Sequence, residues 1–432
     1  MNSKLATVVV GLATLCTRAA SQYEWSALEP KEGGAFEFGA SVALDGDFAV
    51  VGAPRSSLGG GAFVFDIADP RTPFQIAKLV KDDNNAGDRL GASVAIAGGI
   101  VLAGAPSRDE GGFGDTGSAY LFSVATGDQL SKLLPEQISG GTFYGSSVAT
   151  DGRIAVIGAL RPGGGAVYVY DIADPATPAK VSQLSAGAES RFGAFLALDG
   201  DLLLVGAPGS GLSSAGEALL FDVSDPSNPI QLHRLLPPHS ALHFGISVDL
   251  RAGRAIIGAS SDEGQGDSPG GAFIFDVTSG DMLVELALPP DASPLDYFGT
   301  TVALNERVAY VGAPGDDRNL AQCGAFYSFD LATGNLRRKF LASRCPSNGD
   351  RFSRSLALRG GVAVVGAPAD PAAYLFNACA PDVSNDGTVD YVDFVSFLIA
   401  WSNHELVAEW DGNGLIDSRD LIAFLNEWVA GC

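Results

Sequence analysis

Short apolar runs alternate with clusters of turn-forming residues along most of this chain. Gly39 to Leu44 is one such run, and Asp45-Gly46 after it is a two-residue break suited to a tight hairpin. Phe48 to Ala53 follows and stops at Pro54, which cannot donate to a ladder. The glycine-rich stretch Leu58 to Gly61 leads to a third run, Ala62 to Ile67, and Asp69-Pro70 turns the chain into a fourth, Phe74 to Val80. Runs of about 4–8 β-prone residues between turn signals predict strands, so the unit reads as four antiparallel strands.

The unit returns seven times. Its fullest phrase is Phe38-Gly39-Ala40-Ser41-Val42-Ala43-Leu44-Asp45-Gly46-Asp47, running into Val51-Gly52-Ala53-Pro54. The copies open at Phe38, Leu90, Tyr144, Phe192, Phe244, Phe298 and Phe352, a period of 48 to 54 residues. A period of that length marks one supersecondary unit stacked on its neighbours. Asp-Pro joins strands three and four at Asp69, Asp174 and Asp225, whereas Thr-Gly or Ser-Gly does so at Gly127, Gly280 and Gly334. The turn chemistry changes and the hairpin stays. The last copy (Ser355 to Leu358, Val362 to Gly366, Ala373 to Asn377) breaks at Cys379 without a fourth strand, while Tyr23 to Leu28 belongs to no complete unit. The N-terminal run is therefore expected to supply the missing strand and remove the open edge. The expected fold is all-β: a seven-bladed β-propeller of four-stranded blades closed by an N-terminal strand, plus a small α-helical calcium-loop domain.

These residues resemble the FG-GAP repeat family, known from the integrin α-subunit head and from bacterial extracellular proteins, over residues 23–378. Lys78-Leu79 followed by Ala86-Gly87-Asp88-Arg89 before Leu90-Gly91 is similar to the bacterial form. Integrin repeats often carry a calcium loop between the first two strands. Here that place holds only Asp45-Gly46, Asp151-Gly152 and Asp199-Gly200, so no blade calcium site of that kind is expected.

The C-terminus carries different chemistry. Asp382, Ser384, Asp386, Gly387, Thr388, Asp390 and Asp393 stand at positions 1, 3, 5, 6, 7, 9 and 12 of a calcium loop. Calcium takes about 6–8 oxygens, and alternating residues on a tight loop can aim theirs inward, Thr388 through its backbone carbonyl. The arrangement recurs 27 residues later as Glu409, Asp411, Asn413, Gly414, Leu415, Asp417 and Asp420, with Glu409 and Asn413 where Asp is commoner. After each loop an apolar stripe follows at i, i+3, i+4, i+7: Phe394, Phe397, Leu398 and Trp401, then Leu421, Phe424, Leu425 and Trp428. That spacing predicts two helices whose stripes pack together. Residues 379–432 resemble a dockerin, a calcium-dependent docking module, of the bacterial GC type ending at Gly431-Cys432. The resemblance implies two bound calcium ions and a cohesin-like or cell-envelope partner. Recognition would fall at Tyr391, Val392, Ser418 and Arg419, an atypical mix for cellulosomal dockerins.

Composition narrows the setting. A net charge of −23 argues against nucleic acid or an anionic membrane surface as partner. No apolar run approaches the roughly 18–20 residues of a membrane-spanning helix. Lys4, the apolar stretch Leu5 to Cys16 and Ala19-Ala20 read as a secretory signal peptide over residues 1–20. Secretion or cell-surface display would permit disulfides, and the nesting of the remaining cysteines favours Cys323–Cys345 and Cys379–Cys432 among the three pairings, against four free thiols.

Function divides three ways: a non-catalytic exported binding scaffold, offering a propeller face to a protein or glycan; a carbohydrate-active enzyme on the propeller; or a structural cell-envelope component. The scaffold is the preferred reading, with no catalytic residue assigned. For an enzyme, the carboxylates to inspect are Asp109, Glu110 and Asp115, then Asp262, Glu263 and Asp267, then Asp316 and Asp317. Two of them held about 5–10 Å apart could serve as glycosidase acid and base. His233, His239, His243 and His404 show no metal-ligand spacing.

Overall fold

A computed structural model of the chain describes residues 24–378, apart from 32, 35, 57–58, 84–86, 162–163, 187–189, 210–214, 239–242, 261–269, 291, 317–322, 345–348 and 350, together with 383, 389, 391–403, 416 and 418–430. The leader expected at residues 1–20 lies outside them. Among the described residues twenty-eight strands form seven four-stranded sheets, each antiparallel throughout. Blade 1 is typical. Its strands are Ser41–Asp45, Phe48–Ala53, Gly61–Asp66 and Phe74–Leu79, within a residue or two of the runs read from the sequence. Six sheets take their strands in chain order, and the seventh closes the ring. In that sheet the N-terminal strand Glu24–Leu28 pairs antiparallel with Ala372–Asn377, Leu28 opposite Ala373.

The hydrophobic core lies between blades. The residue that opens each repeat is its anchor: Phe38, Leu90, Tyr144, Phe192, Phe244, Phe298 and Phe352 are all at most 1% exposed. Phe38 meets Phe63 edge to face at 5.4 Å, a geometry that adds to the area it buries. The glycine after the anchor is needed for two reasons. Gly39 has φ +91, and a Cβ there would lie 2.5 Å from the Ala372 carbonyl of blade 7. The second-strand glycine of each repeat is equally confined: a Cβ on Gly52 would sit 2.1 Å from the Gly91 carbonyl of the next blade.

A hydroxyl adds a polar link to this close approach. Ser41 Oγ donates to Gly91 O at 2.9 Å, Ser93 Oγ to Gly145 O at 2.8 Å and Ser147 Oγ to Gly193 O at 2.6 Å. Ser247 and Thr301 repeat the bond, and Ser355 makes it to Gly39, from the last blade back to the first. Blade 4 departs from the scheme, with Phe195 at that register. Blade 7 carries Ser353 where the other repeats have glycine. Its φ of +70 is unfavourable for a side chain, and its hydroxyl compensates by donating to Ala325 O and accepting from the Ala313 amide.

Two local readings are refined by the backbone. The first hairpin turn is Gly46-Asp47 rather than Asp45-Gly46, because Asp45 is still paired with Phe48. Its carboxylate is thereby free to accept the Gly98 amide of blade 2 at 2.9 Å. The Asp-Pro turns are local devices: Asp69 accepts the Arg71 amide and the Thr72 hydroxyl, and these bonds hold its carboxyl below the usual range. Outside the propeller, two α-helices are present among the described residues, α1 (Tyr391–Ser402) and α2 (Ser418–Ala430).

Candidate functional site

One propeller face is built by the loops after strand two and before strand one. Each loop enters its repeat through a non-glycine residue in the left-handed region: Glu37, Arg89, Phe143, Arg191, His243, Tyr297 and Arg351, with φ between 47 and 62°. The turn is held by its own carbonyl, which accepts an amide three residues on, as Glu37 does from Ala40. No residue type marks the position, so nothing but its place before the anchor signals it in the sequence. Of these side chains, Arg89, Arg191 and Arg351 are exposed on this face.

Between blades 1 and 2 the same face holds an ion cluster. Arg108 reaches Asp88 at 2.8 Å, Asp83 at 3.1 Å and Glu110 at 3.0 Å. Lys132 bonds Asp83 at 2.7 Å and also Glu110, and Lys81 meets Asp88 at 2.7 Å with both side chains buried. Three cations and three carboxylates balance. Burial works to raise the Asp83 and Glu110 carboxyls, but Lys132 and Arg108 outweigh it and hold both below their ordinary values. Tyr120 closes the cluster by donating to Asp83 at 3.1 Å.

Blade 6 repeats the motif in reduced form. Asp316, 3% exposed, accepts Lys339 Nζ at 2.9 Å and the Tyr327 hydroxyl. Lys132 over Tyr120 and Lys339 over Tyr327 are equivalent cation–π pairs, with Lys180 over Tyr168 in blade 3. The fourth-strand lysine thus packs its stem on a third-strand ring and spends its charge on a loop carboxylate.

This arrangement decides what the acidic loops can do. Glu110 and Asp316 are committed to structural ion pairs, and Asp109 accepts the Asp115 amide at 2.9 Å. A glycosidase acid needs a raised pKa, whereas Glu110 is held low. Asp262, Glu263, Asp267 and Asp317 lie outside the described residues. His233 and His243 face the carbonyls of Thr278 and Ser260, and His239 and His404 lie outside the described set. Among the described residues no group of three or more His, Cys, Asp or Glu is placed to hold a metal.

The C-terminal helices bring the predicted stripes together. Phe397 stacks on Phe424 with centroids 4.0 Å apart and planes 2° from parallel. Phe394, Leu398, Trp401, Leu421, Leu425 and Trp428 surround that pair in one cluster. Asp393 and Asp420, at equivalent places in the first turns of α1 and α2, are both 0% exposed. Tyr391, Val392, Ser418 and Arg419 are all exposed at the helix starts. The remaining proposed ligands (Asp382, Ser384, Asp386, Thr388, Asp390, Glu409, Asp411, Asn413, Leu415, Asp417) lie outside the described residues, as do Cys345, Cys379 and Cys432. Cys323 is disulfide-bonded.

Down the propeller axis runs a channel of about 690 Å³, lined by the innermost strands of all seven blades. No helix among the described residues is long and apolar enough to cross a membrane.

A family model described as the FG-GAP repeat matches residues 30–65, 73–122, 128–170 and 285–329. No curated protein matches the chain. Among solved structures, the computationally designed Ika8 protein is similar, with a TM-score of 0.51 at 18% identity over 82% of this chain and 99% of that one. At that identity the likeness concerns fold alone. Four stretches of the chain therefore match the FG-GAP repeat, and the chain folds as a seven-bladed β-propeller.

Proposed function

We propose that the protein is an exported, non-catalytic binding scaffold, in which the propeller offers a face to a protein or glycan and a dockerin-like tail attaches the whole to a cohesin-like or cell-envelope partner when calcium is bound. The observation that carries the tail reading is the 27-residue duplication of an oxygen-rich loop running into a helix, in which Asp393 and Asp420 take matched places in the first turns. The oxygen-rich residues before each helix suit a hard cation.

In this reading Asp382, Ser384, Asp386, Thr388, Asp390 and Asp393 hold one calcium ion, and Glu409, Asp411, Asn413, Leu415, Asp417 and Asp420 hold a second. When bound, such an ion would supply the neutralising charge for these oxygens. The chain's own residues do the docking: Tyr391, Val392, Ser418 and Arg419 stand exposed beside the buried carboxylates. Cys379–Cys432 would staple the ends of the module, and Cys323–Cys345 would brace blade 6 against blade 7. The non-catalytic part rests on the ion pairs that commit Glu110 and Asp316 to structural partners.

Tryptophan fluorescence of the full chain tests the calcium claim directly. Three of the four tryptophans, Trp401, Trp410 and Trp428, fall in the tail. Calcium is expected to shift and saturate their emission, and EDTA to reverse it. An emission spectrum indifferent to calcium would falsify the module. Calcium-dependent capture by immobilised full chain then tests docking.

A further inference from the structure

Blades 7, 1 and 2 gather arginines along one arc of the face that carries the left-handed turns. Glu37 of blade 1 lies 3.3 Å from Arg55 and 3.9 Å from Arg89, which belongs to blade 2. Two guanidinium groups therefore share one carboxylate. Arg351 and Arg354 of blade 7 continue the arc. Arg354 precedes Ser355, whose hydroxyl donates to Gly39 O at 2.8 Å, and Glu37 stands two residues before that glycine. Both arginines are exposed, and no carboxylate among the described residues lies within ion-pair distance of either. Asp370, in the loop after strand two of blade 7, accepts the Tyr374 hydroxyl.

The turns that present these side chains are fixed by their own hydrogen bonds. Arg89 and Arg351 have φ of 62 and 55°, and their carbonyls accept the Ala92 and Arg354 amides, both at 3.1 Å. The Arg55 and Arg89 side chains are 69% and 48% exposed, so their forks stand in solvent. Phe36, beside Glu37, is 67% exposed, a large apolar ring left in water at the edge of the same arc. The net charge of the chain is −23, yet here four arginines share one ion-paired carboxylate. The arc is thus a positive island on an acidic protein.

We propose that this arc binds an acidic glycan of the uronate class, with its carboxylates on the arginines and one sugar face on the Phe36 ring. The inference rests on the reading of the propeller as a protein- or glycan-binding face, and it names the ligand. A guanidinium fork matches a carboxylate in bidentate fashion. The face of an aromatic ring is electron-rich and suits the C–H groups that line one side of a sugar. An acidic peptide would satisfy the arginines but would bring no such flat C–H face to the ring. A polymer that repeats its carboxylates can also engage arginines spread over three blades at once, which raises avidity without any single strong contact. The site depends on neither the tail nor its metal.

Titration calorimetry of the full chain with hexagalacturonate tests the proposal, run in EDTA so that no calcium bridges ligand and protein. One saturable site is expected, weakening as salt is raised. Methyl-esterified hexagalacturonate and hexaglutamate are each expected to bind at least about tenfold more weakly. Arg89→Gln with Arg351→Gln should keep the fold and lose at least about tenfold in affinity, and Arg55→Gln with Arg354→Gln provides a second charge variant. Phe36→Ala should weaken hexagalacturonate and leave hexaglutamate unchanged. Arg191→Gln, on the same face but in blade 4, should bind as wild type does. Absence of saturable heat with the wild type, equal binding of the ester or of hexaglutamate, or full affinity in any folded arc variant overturns the proposal. Equal binding of the ester would still leave the face a glycan-binding one, so that outcome separates this inference from the scaffold reading.

Discussion

Ser355 donates its hydroxyl hydrogen to the carbonyl of Gly39, 2.8 Å away and 316 residues earlier in the chain. The bond joins the last blade to the first and copies the one that Ser41 makes to Gly91 between neighbours. Closure therefore uses the ordinary inter-blade contact rather than a special one. Ser355→Ala is expected to cost about 1 kcal/mol, the usual net worth of such a bond. Gly366→Ala should cost several times more, because its Cβ would lie 2.0 Å from the same carbonyl. Urea unfolding of both variants checks the order, and a Gly366→Ala variant as stable as wild type would show that the blades are not in close contact.

The N-terminal strand is the second half of closure. Its Glu24 carboxylate accepts the Ser343 amide at 2.8 Å and the Ser343 hydroxyl at 2.6 Å, from the loop after blade 6. Deleting residues 24–28 would leave the strand Ala372–Asn377 with an unpaired edge. The truncated chain is expected to self-associate on size-exclusion chromatography and to lose cooperative unfolding. A monomer with an unchanged denaturation midpoint would make the strand dispensable.

Lys339 tests the ion pairs beneath the acidic face. Lys339→Met keeps the stem over Tyr327 but leaves Asp316 buried without its cation. A loss of about 3 kcal/mol is expected, in the range for breaking one side of a buried pair. The accompanying Asp316→Asn change should recover part of it. Thermal unfolding of the single and double variants measures the coupling.

Asp249 makes stability depend on pH with a definite sign. Its folded pKa, about 7, lies above the ordinary 3.8, so its protonated form is favoured by the fold. That contribution is fully present below about pH 4 and is lost as pH rises through about 7. The difference between 3.8 and about 7 sets an upper bound of ~4 kcal/mol. Asp249→Ala is expected to be more stable than wild type at pH 8 and no more stable at pH 4. Guanidinium unfolding across that range checks it, and parallel pH profiles for the two proteins would rule out the ionisation cost.

The tail yields a fifth kind of outcome. Asp386→Ala combined with Asp393→Ala should abolish the calcium response of the first loop while the propeller unfolds as before. Calorimetry of the full chain with and without chelator separates the two transitions.

How much was legible differs from element to element. The strand Phe48–Ala53 and its six equivalents were readable as β-rich runs, closed by proline as at Pro54 except where Leu160 and Ser260 follow. The N-terminal strand was readable by counting, since seven repeats lacked one strand. The stripes through Phe397 and Phe424 were readable from their helical spacing, and the two rings do stack. By contrast, the loop acids Glu110 and Asp316 looked available, and only their lysine partners on a distant strand show otherwise. Asp249 was visible in the repeats as the one departure from alanine, yet its bond to the Leu304 amide of the next blade required the fold.

Local chemistry determined the strands, their turns, the number of blades and the helical stripes, because each rests on residues close together in the chain. Tertiary structure decided which side chains meet across a blade boundary, which acids are neutralised and which face the channel. Those contacts join residues tens to hundreds of positions apart, and their energies depend on burial that no single repeat possesses alone.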